Sequence, residues 1–361
     1  MLLKNYVICC HKDKDLTNSA PVSVYDCFIQ AGAALTDKRI CDLNDHDGFE
    51  ESISDRNARY SEATAMYYIS GHIESDYVGI AHYRRRLSLD DAAFEDLAKG
   101  NIDIITSHPF PLDKSIEQLY REQHYSADWD LFLSLLQKYD ARDFEFDQKV
   151  FSESTIHPAN LHIFRADHYR EFASWAFPIL DAFYNDSPPK FDLYQNRDVG
   201  FIAERLSHLY VMKAKRDGLN IRETDLINLN TSGSVFEPQS PEDVYQKCCE
   251  LYSQRALTAC SDILKKALVK GYVSESILGA GEIFKYANRE MSAGLPQTLT
   301  DYLPLELKST LDTLLGTYMG LKKIVSINKL TPSAEAKALL QQYVAATGFS
   351  SLIVDDLMSD H

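Results

Sequence analysis

The chain has 361 residues, 45% of them hydrophobic and 11% aromatic, and a formal net charge of −16. That length and apolar content suffice for a sizeable core, as one large domain plus a smaller one. The acidity excludes general nucleic-acid binding, which needs a basic face against the phosphates. No apolar run reaches the roughly eighteen residues of a membrane span, and the opening Met1–Cys10 is too short for a secretory leader. Seven cysteines, at positions 9, 10, 27, 41, 248, 249 and 260, form neither a CxxC pair nor a disulfide framework. Reduced thiols in the cytoplasm are expected.

Asn5 to Cys10 is apolar and β-rich, and it stops at a polar loop beginning His11-Lys12. Open α/β sheets hold ligands at such a strand end, so His11 and Lys12 either meet a nucleotide or form a solvated turn. Gln30-Ala31-Gly32-Ala33-Ala34 predicts a tightly packed small-residue segment, and Arg39-Ile40-Cys41-Asp42 a short strand. Asp42, Asp45, His46 and Asp47 lack the glycine and terminal glutamate of a calcium loop, which leaves a solvated acidic loop. Ala58, Ser61, Glu62, Ala65, Met66 and Ile69 recur at helical steps and predict a helix from Asp55. At its start Arg56 and Asn57 stand where free backbone N–H groups favour a diphosphate, or else serve as an ordinary cap.

The most informative stretch is Asp76-Tyr77-Val78-Gly79-Ile80-Ala81-His82-Tyr83-Arg84-Arg85-Arg86. A short apolar run ends in an imidazole, a phenol and three guanidinium groups, as when a buried strand delivers polar groups to the rim of a sheet. Consecutive arginines make a poor core and a good anion clamp. Asp90-Asp91 reads as a helix cap rather than a metal-binding Asp-x-Asp. A β run over 101–106 precedes two helices, one at 115–125 carrying Gln118, Tyr120 and His124, the other at 128–139. His157 to Phe164 alternates polar and apolar residues, predicting a strand that lines a cleft with His157, Asn160 and His162. Metal binding by the two histidines ranks below that, because no third ligand is near. A core helix is expected over 167–182. Another, over 195–206, presents Gln195, Arg197 and Asp198 at its amino-terminal end.

The last third differs in kind, and the domain division expected is 1–235 and 236–361. Ser240-Pro241-Glu242-Asp243 is a strong helix start, with helices expected at 241–270, 275–291, 304–323 and 332–346. Leu257, Ile263, Leu264, Ala267 and Leu268 form an apolar stripe beside Lys265, Lys266 and Lys270. Core of a helical appendage is its first reading, a homodimer contact its second, and peripheral docking on a membrane its third.

Three motifs in order resemble one known family: Asn57-x-x-Tyr60-x-Glu62-x-Thr64, Tyr77-Val78-Gly79-x-x-His82-Tyr83-Arg84-Arg85, and Gln195-x-Arg197-x-x-Gly200-Phe201-x-x-Glu204-Arg205-Leu206. It is the bacterial capsular and exopolysaccharide biosynthesis family that began as a domain of unknown function. His11-Lys12, Gln30-x-Gly32-x-Ala34 and Gln118-x-Tyr120-x-x-x-His124 add to the resemblance, which covers about residues 4–235. It implies an α/β, GT-A-like (Rossmann-like) mixed sheet flanked by helices, followed by an all-α carboxyl-terminal region. It also implies a glycosyltransferase that moves a sugar, galactofuranose among the family's donors, from a UDP-linked diphosphate. The acceptor would be a capsular, O-antigen or exopolysaccharide chain, free or lipid-linked, which places the enzyme in the cytoplasm or at the inner face of the cell membrane.

Most GT-A enzymes neutralise the leaving diphosphate with a divalent cation held by an Asp-x-Asp. Here His82-Tyr83-Arg84-Arg85 stands in that place, so transfer without a metal or other cofactor is expected. The donor would meet His11, Lys12, Arg56, Asn57, Glu62, His82, Tyr83, Arg84, Arg85, Gln195 and Arg197. Asp198 and Glu204 are the candidate bases, and His124, His157, Asn160 and His162 the acceptor-lining residues. A first-turn position would lower the pKa of Asp198 and weaken it as a base. Where the family has Trp this chain has Tyr67-Tyr68, and its Arg-Tyr-Phe continuation reads Arg85-Arg86-Leu87, departures that bear on acceptor choice. The competing reading is a non-catalytic sugar-nucleotide or glycan-binding scaffold, separable by assaying nucleoside diphosphate release. No P-loop, dinucleotide fingerprint or serine elbow points elsewhere.

Overall fold

The computed structural model describes residues 2–13, 23–190, 192–229, 240–253, 334–347 and 350–359, with isolated positions between 263 and 321. Two compact units divide the chain: Met1–Ser187 with Arg197–Ser234, and Pro188–Asn196 with Val235–His361. The second thus takes in a nine-residue excursion that a single cut at 235 would leave with the first.

The first unit is a mixed sheet. Its strands run in the order β10 (Ile221–Thr224), β6 (Ile104–Ser107), β9 (His162–Arg165), β4 (Tyr77–His82), β1 (Leu3–Cys10), β2 (Asp26–Ala31) and β3 (Leu43–Asn44). Strands β3, β2, β1 and β4 are mutually parallel, whereas β9 runs antiparallel to both β4 and β6. A ribbon of β5 (Arg85–Leu87) and β11 (Leu226–Asn228) extends from the end of β4. A separate small pair joins β7 (Phe110–Pro111) to β8 (Thr155–Ile156).

Alternate residues along each central strand serve two different cores. Tyr6, Ile8, Val78, Ile80, Ile104 and Phe164 meet α2 (Ala63–Gly71), α5 (Ser126–Tyr139), α7 (Ala166–Asp186) and α8 (Asp198–Arg216). Leu3, Tyr77, Ile105 and Ile163 instead pack with Ala93 and Leu97 of α3 (Asp91–Lys99), while Val7 and Ala81 pack with Leu161. A sheet covered on both faces needs apolar residues at every position, which is why these strands read as unbroken apolar runs. The short α1 (Asn57–Tyr60), α4 (Ile116–Gln123) and α6 (Phe144–Phe151) complete this unit.

Several expectations are corrected by tertiary contacts. The segment Arg39–Asp42 is not a strand; its backbone is held by Gln30, which accepts from Ile40 N and donates to Lys38 O. The small-residue segment 30–34 ends β2 and turns at Gly32 (φ +68), where a Cβ would lie 2.7 Å from Asn57. Asp45 is not solvated: it is 1% exposed and accepts hydrogen bonds from Gly32 N, Ala33 N and Ser54 Oγ. The helix expected from Asp55 breaks at Ser61 (φ 52, ψ −131), and the segment 157–164 becomes strand only from His162.

In the second unit, α9 (Pro241–Ser253) starts with Ser240 Oγ accepting from Asp243 N at 3.1 Å, the expected cap. Helices α10 (Ala334–Thr347) and α11 (Leu352–Ser359) follow. Ile263, Leu264 and Ala267 of the apolar stripe are buried. Leu257, Lys265 and Leu268 lie outside the described residues, as do the 230–239 linker and, apart from isolated positions, the helices expected at 275–291 and 304–323. Among the described residues no helix is long and apolar enough to cross a membrane.

Candidate functional site

The carboxyl ends of β1, β2 and β4 lie side by side, with Ile8 paired to both Ile29 and His82. Strand β4 turns back at Tyr83-Arg84, and His82 pairs with Arg85 across a two-residue hairpin. Leu229 N donates to Arg84 O at 2.8 Å and pins that turn from the β11 side. The hairpin decides the fate of each arginine. Arg84 and Arg85 are exposed and, among the described residues, make no side-chain hydrogen bond or ion pair; Arg84 lies over the Tyr83 ring at 5.1 Å. Arg86 points inward, 2% exposed, with Nε 3.3 Å from Asp26 Oδ2. Two of the three guanidiniums are therefore available to an anion.

Opposite the hairpin stands Glu62, delivered by the break at Ser61. Helix α8 forces that break by packing closely: a Cβ on Gly200 would come 3.1 Å from Ser61 Oγ and 3.2 Å from Tyr60 O. Glu62 Oε1 accepts from Asn160 Nδ2 at 3.0 Å and lies 3.7 Å from His82 Nε2. Its other oxygen is 3.9 Å from Arg197 Nη2, and Arg197 Nε donates to Ser61 Oγ at 2.8 Å. Asn160 is wholly buried, in the left-handed conformation with Ala159, and its Oδ1 accepts from Ser207 on α8.

Electrostatics bind these groups into one cluster. Burial pushes the Glu204 carboxyl above the usual range, with Glu62 adding to the rise, while Arg205, Arg197 and Arg85 oppose it. Burial likewise lowers the His82 imidazole, against the pull of Glu62 and with the help of Arg85 and Arg197. Its Nε2 is buried without a hydrogen-bond partner. Asp13 is raised by burial, although its bond from Cys10 N and the charges of Arg84 and Arg197 draw it down. A carboxylate held close to protonation beside fixed cations suits proton transfer in a cleft. Asp13 was absent from the sequence-based candidates, although it directly follows His11-Lys12.

The other candidates divide by location. His11 is half-buried beside Cys10 and exposed Lys12, both on the loop at the end of β1. Asn57 is spent internally, donating to Ser61 O at 2.6 Å and Thr64 Oγ1 at 3.1 Å. Arg56 faces away from the cleft: it pairs with Asp181 at 2.7 Å and lines a separate cavity of about 740 Å³ with Tyr67 and Phe177. Gln195 belongs to the second unit. His124 caps α4 and stacks on Phe201 at 4.1 Å, and the Arg197 guanidinium lies 5.7 Å over the same ring.

Asp198 is a structural anchor. It is 1% exposed and bidentate to Arg59 at 2.9 and 2.6 Å, and it accepts from Ser187 Oγ at 2.9 Å. Glu204 is then the candidate base that faces the cluster.

His157 and His162 are core residues rather than cleft lining. His157 Nδ1 bonds Ser107 O at 2.8 Å, and His162 Nδ1 meets Thr106 Oγ1 at 2.9 Å. Burial lowers them to about 4 and about 3, so both are neutral. Among the described residues no group of three or more His, Cys, Asp or Glu is placed to hold a metal ion.

A family model described as a domain of unknown function, DUF4422, matches residues 5–216. No curated protein matches. Among solved structures, the apo structure of WbbM, a bifunctional glycosyltransferase, is similar with a TM-score of 0.56 at 22% identity. The similarity covers 67% of this chain and 49% of that one, so this chain matches about half of WbbM. What the two share at that identity is the fold, a mixed sheet flanked by helices.

Proposed function

The chain belongs to the DUF4422 family, and from that premise we propose that it is a glycosyltransferase whose Arg84 and Arg85 hold the diphosphate of a sugar nucleotide without a metal. The observation that carries this reading is the pair of unpartnered, exposed guanidiniums at the mouth of β4. Each offers a permanent charge and a fork of donors matched to phosphate oxygens. Negative charge that grows on the leaving diphosphate is stabilised where it develops, the task a bound cation performs elsewhere. His82, neutral and with a free Nε2, completes the clamp.

Glu204 takes the proton of the acceptor hydroxyl. Its raised pKa makes it a stronger base than an ordinary carboxylate while leaving it ionised near neutrality. Glu62, held by Asn160 and Arg197, fixes His82 and Arg197 around the donor. His124 and Phe201 form a flat surface for a sugar ring, the part left to the acceptor once His157 and His162 are assigned to the core. UDP as carrier, galactofuranose as the sugar and a polysaccharide acceptor at the inner face of the cell membrane follow from the family resemblance.

The test is nucleoside diphosphate release from a panel of sugar nucleotides, UDP-galactofuranose among them, with an oligosaccharide acceptor, in EDTA and in manganese. Turnover that persists in EDTA supports the arginine clamp. Turnover that appears only with manganese overturns it. Binding without release under every condition favours the scaffold reading.

A further inference from the structure

Cys9 lies on β1 with 3% of its surface exposed, and Cys41 is half-buried in the segment that leads to β3. Their sulfurs are 3.1 Å apart, and Cys9 Sγ also reaches Ile29 O at 3.4 Å. Cys10, one residue on, turns its sulfur to His11 Nδ1 at 3.7 Å and plays no part in this contact. We propose that Cys9 and Cys41 are a reversible oxidation site, a dithiol that a hydroperoxide closes to a disulfide.

A disulfide needs its sulfurs at about 2.05 Å. The two here approach to that length by moving about an ångström, which side-chain rotation can supply. The pair also divides the labour that sensor thiols require, an accessible attacker beside a resolving partner. Cys41 is the more exposed, and the hydrogen bond from Cys9 holds its thiol below the usual range, so the proton of the pair rests on Cys9. The thiolate is the nucleophilic form.

The chemistry balances with hydrogen peroxide as oxidant. Cys41 Sγ attacks one peroxide oxygen, the O–O bond breaks, and the departing hydroxide takes up a proton to leave as water. Cys41 is now a sulfenic acid. Cys9 Sγ then attacks Cys41 Sγ, the S–O bond breaks, and the hydroxide leaves as a second water with the Cys9 proton. Two thiols are oxidised and one peroxide is reduced to two waters.

The bridge would tie the 40–42 segment to β1 one residue before Cys10, whose N–H holds Asp13. The site does not depend on the activity proposed above, since it rests on thiol geometry alone.

The experiment is peptide mapping by mass spectrometry of the full chain, treated with hydrogen peroxide, unfolded and alkylated. The expected product is a Cys9–Cys41 crosslinked peptide lighter by two hydrogens than its parts and released by dithiothreitol. Cys41→Ser should abolish it, and Cys10→Ser should keep it. The proposal is overturned if Cys9 and Cys41 both remain alkylatable while other cysteines oxidise. Bridging of Cys9 to Cys10 or Cys27, or conversion of Cys41 to sulfinic acid with no bridge, overturns it equally. The wild-type map decides the matter even where a variant fails to fold.

Discussion

Replacing both Arg84 and Arg85 by alanine tests the clamp most directly, because neither side chain has a structural role to confuse the result. Both are exposed and, among the described residues, form no hydrogen bond or ion pair, so the thermal midpoint should stay close to wild type. A charge-assisted hydrogen bond is worth about 1.5–3 kcal/mol. The exposure of both groups argues for the lower end, and about 1.4 kcal/mol is tenfold. Each single alanine should therefore cost about tenfold in kcat/KM for the sugar nucleotide, and the double at least about a hundredfold, with coupling between neighbours expected. Lysine should recover only part, since it keeps the charge and loses the fork. Salt supplies an independent readout: the donor KM of the wild type should rise between low and physiological ionic strength, and that slope should flatten in the double variant. The assay is nucleoside diphosphate release at saturating acceptor. A folded double variant within twofold of wild type would falsify the assignment of these arginines to the diphosphate.

Three further outcomes are expected. Glu204→Gln should reduce kcat by at least about a hundredfold with little change in donor KM. Because the raised pKa means that Glu204 is lost as a base at a higher pH than an ordinary glutamate, the wild-type rate should fall on the acid side through a midpoint above the usual carboxylate range. That limb should be missing from the residual rate of the variant, and its survival would remove Glu204 from the mechanism. Asp198→Asn breaks a buried bidentate pair and should cost about 3–5 kcal/mol of stability, seen as a lower Tm, while turnover per folded molecule persists; lost turnover at an unchanged Tm would contradict the anchoring role. Acid should destabilise the fold through His157, His162 and His208, lowered by burial to about 4, about 3 and about 3. Their folded pKa values lie below the unfolded value near 6.5, so the unfolded chain takes up protons first and stability, intact above about 6.5, is lost as pH falls toward 4. At about pH 5.5 each histidine costs about 1.4 kcal/mol and the three together about 4 kcal/mol, and a Tm unchanged between pH 7 and pH 5 would show that they are not buried as neutral imidazoles.

Local pattern found the elements whose character is set locally and missed those set by a neighbour distant in sequence. Strand β4 was legible because a strand covered on both faces is apolar throughout and its end is marked by the first polar residue. The polar positions of the segment 157–164 misled for the same reason: between β4 and β6 there is no solvent face, so His162 is polar yet buried, satisfied at one nitrogen by Thr106. Asp198 carried no mark of burial, because its partner Arg59 is 139 residues away. Nor did the helical spacing around Ser61 betray the break that aims Glu62 at the cleft, since the cause is the close passage of Gly200 from another helix.

The run of three arginines shows where such reading stops. Side chains alternate across a strand, so successive arginines cannot all reach the same ligand, but the sequence does not say where the strand turns. With the turn at Tyr83-Arg84 and His82 paired to Arg85, Arg86 falls on the inner face against Asp26 and Arg85 on the outer one. Moving the turn by one residue would exchange them, bury Arg85 and weaken the clamp. The pairing of β5 with β11, Asn228 opposite Arg85 and Leu226 opposite Leu87, is what prevents that slip. The register of a ribbon contributed from some 140 residues downstream thus selects which guanidiniums face an anion. A substitution such as Ile227→Pro, which removes a ladder donor opposite Arg86, should therefore lower donor affinity although it touches no ligand, and an unchanged donor KM in a folded variant would show that the hairpin holds its register alone.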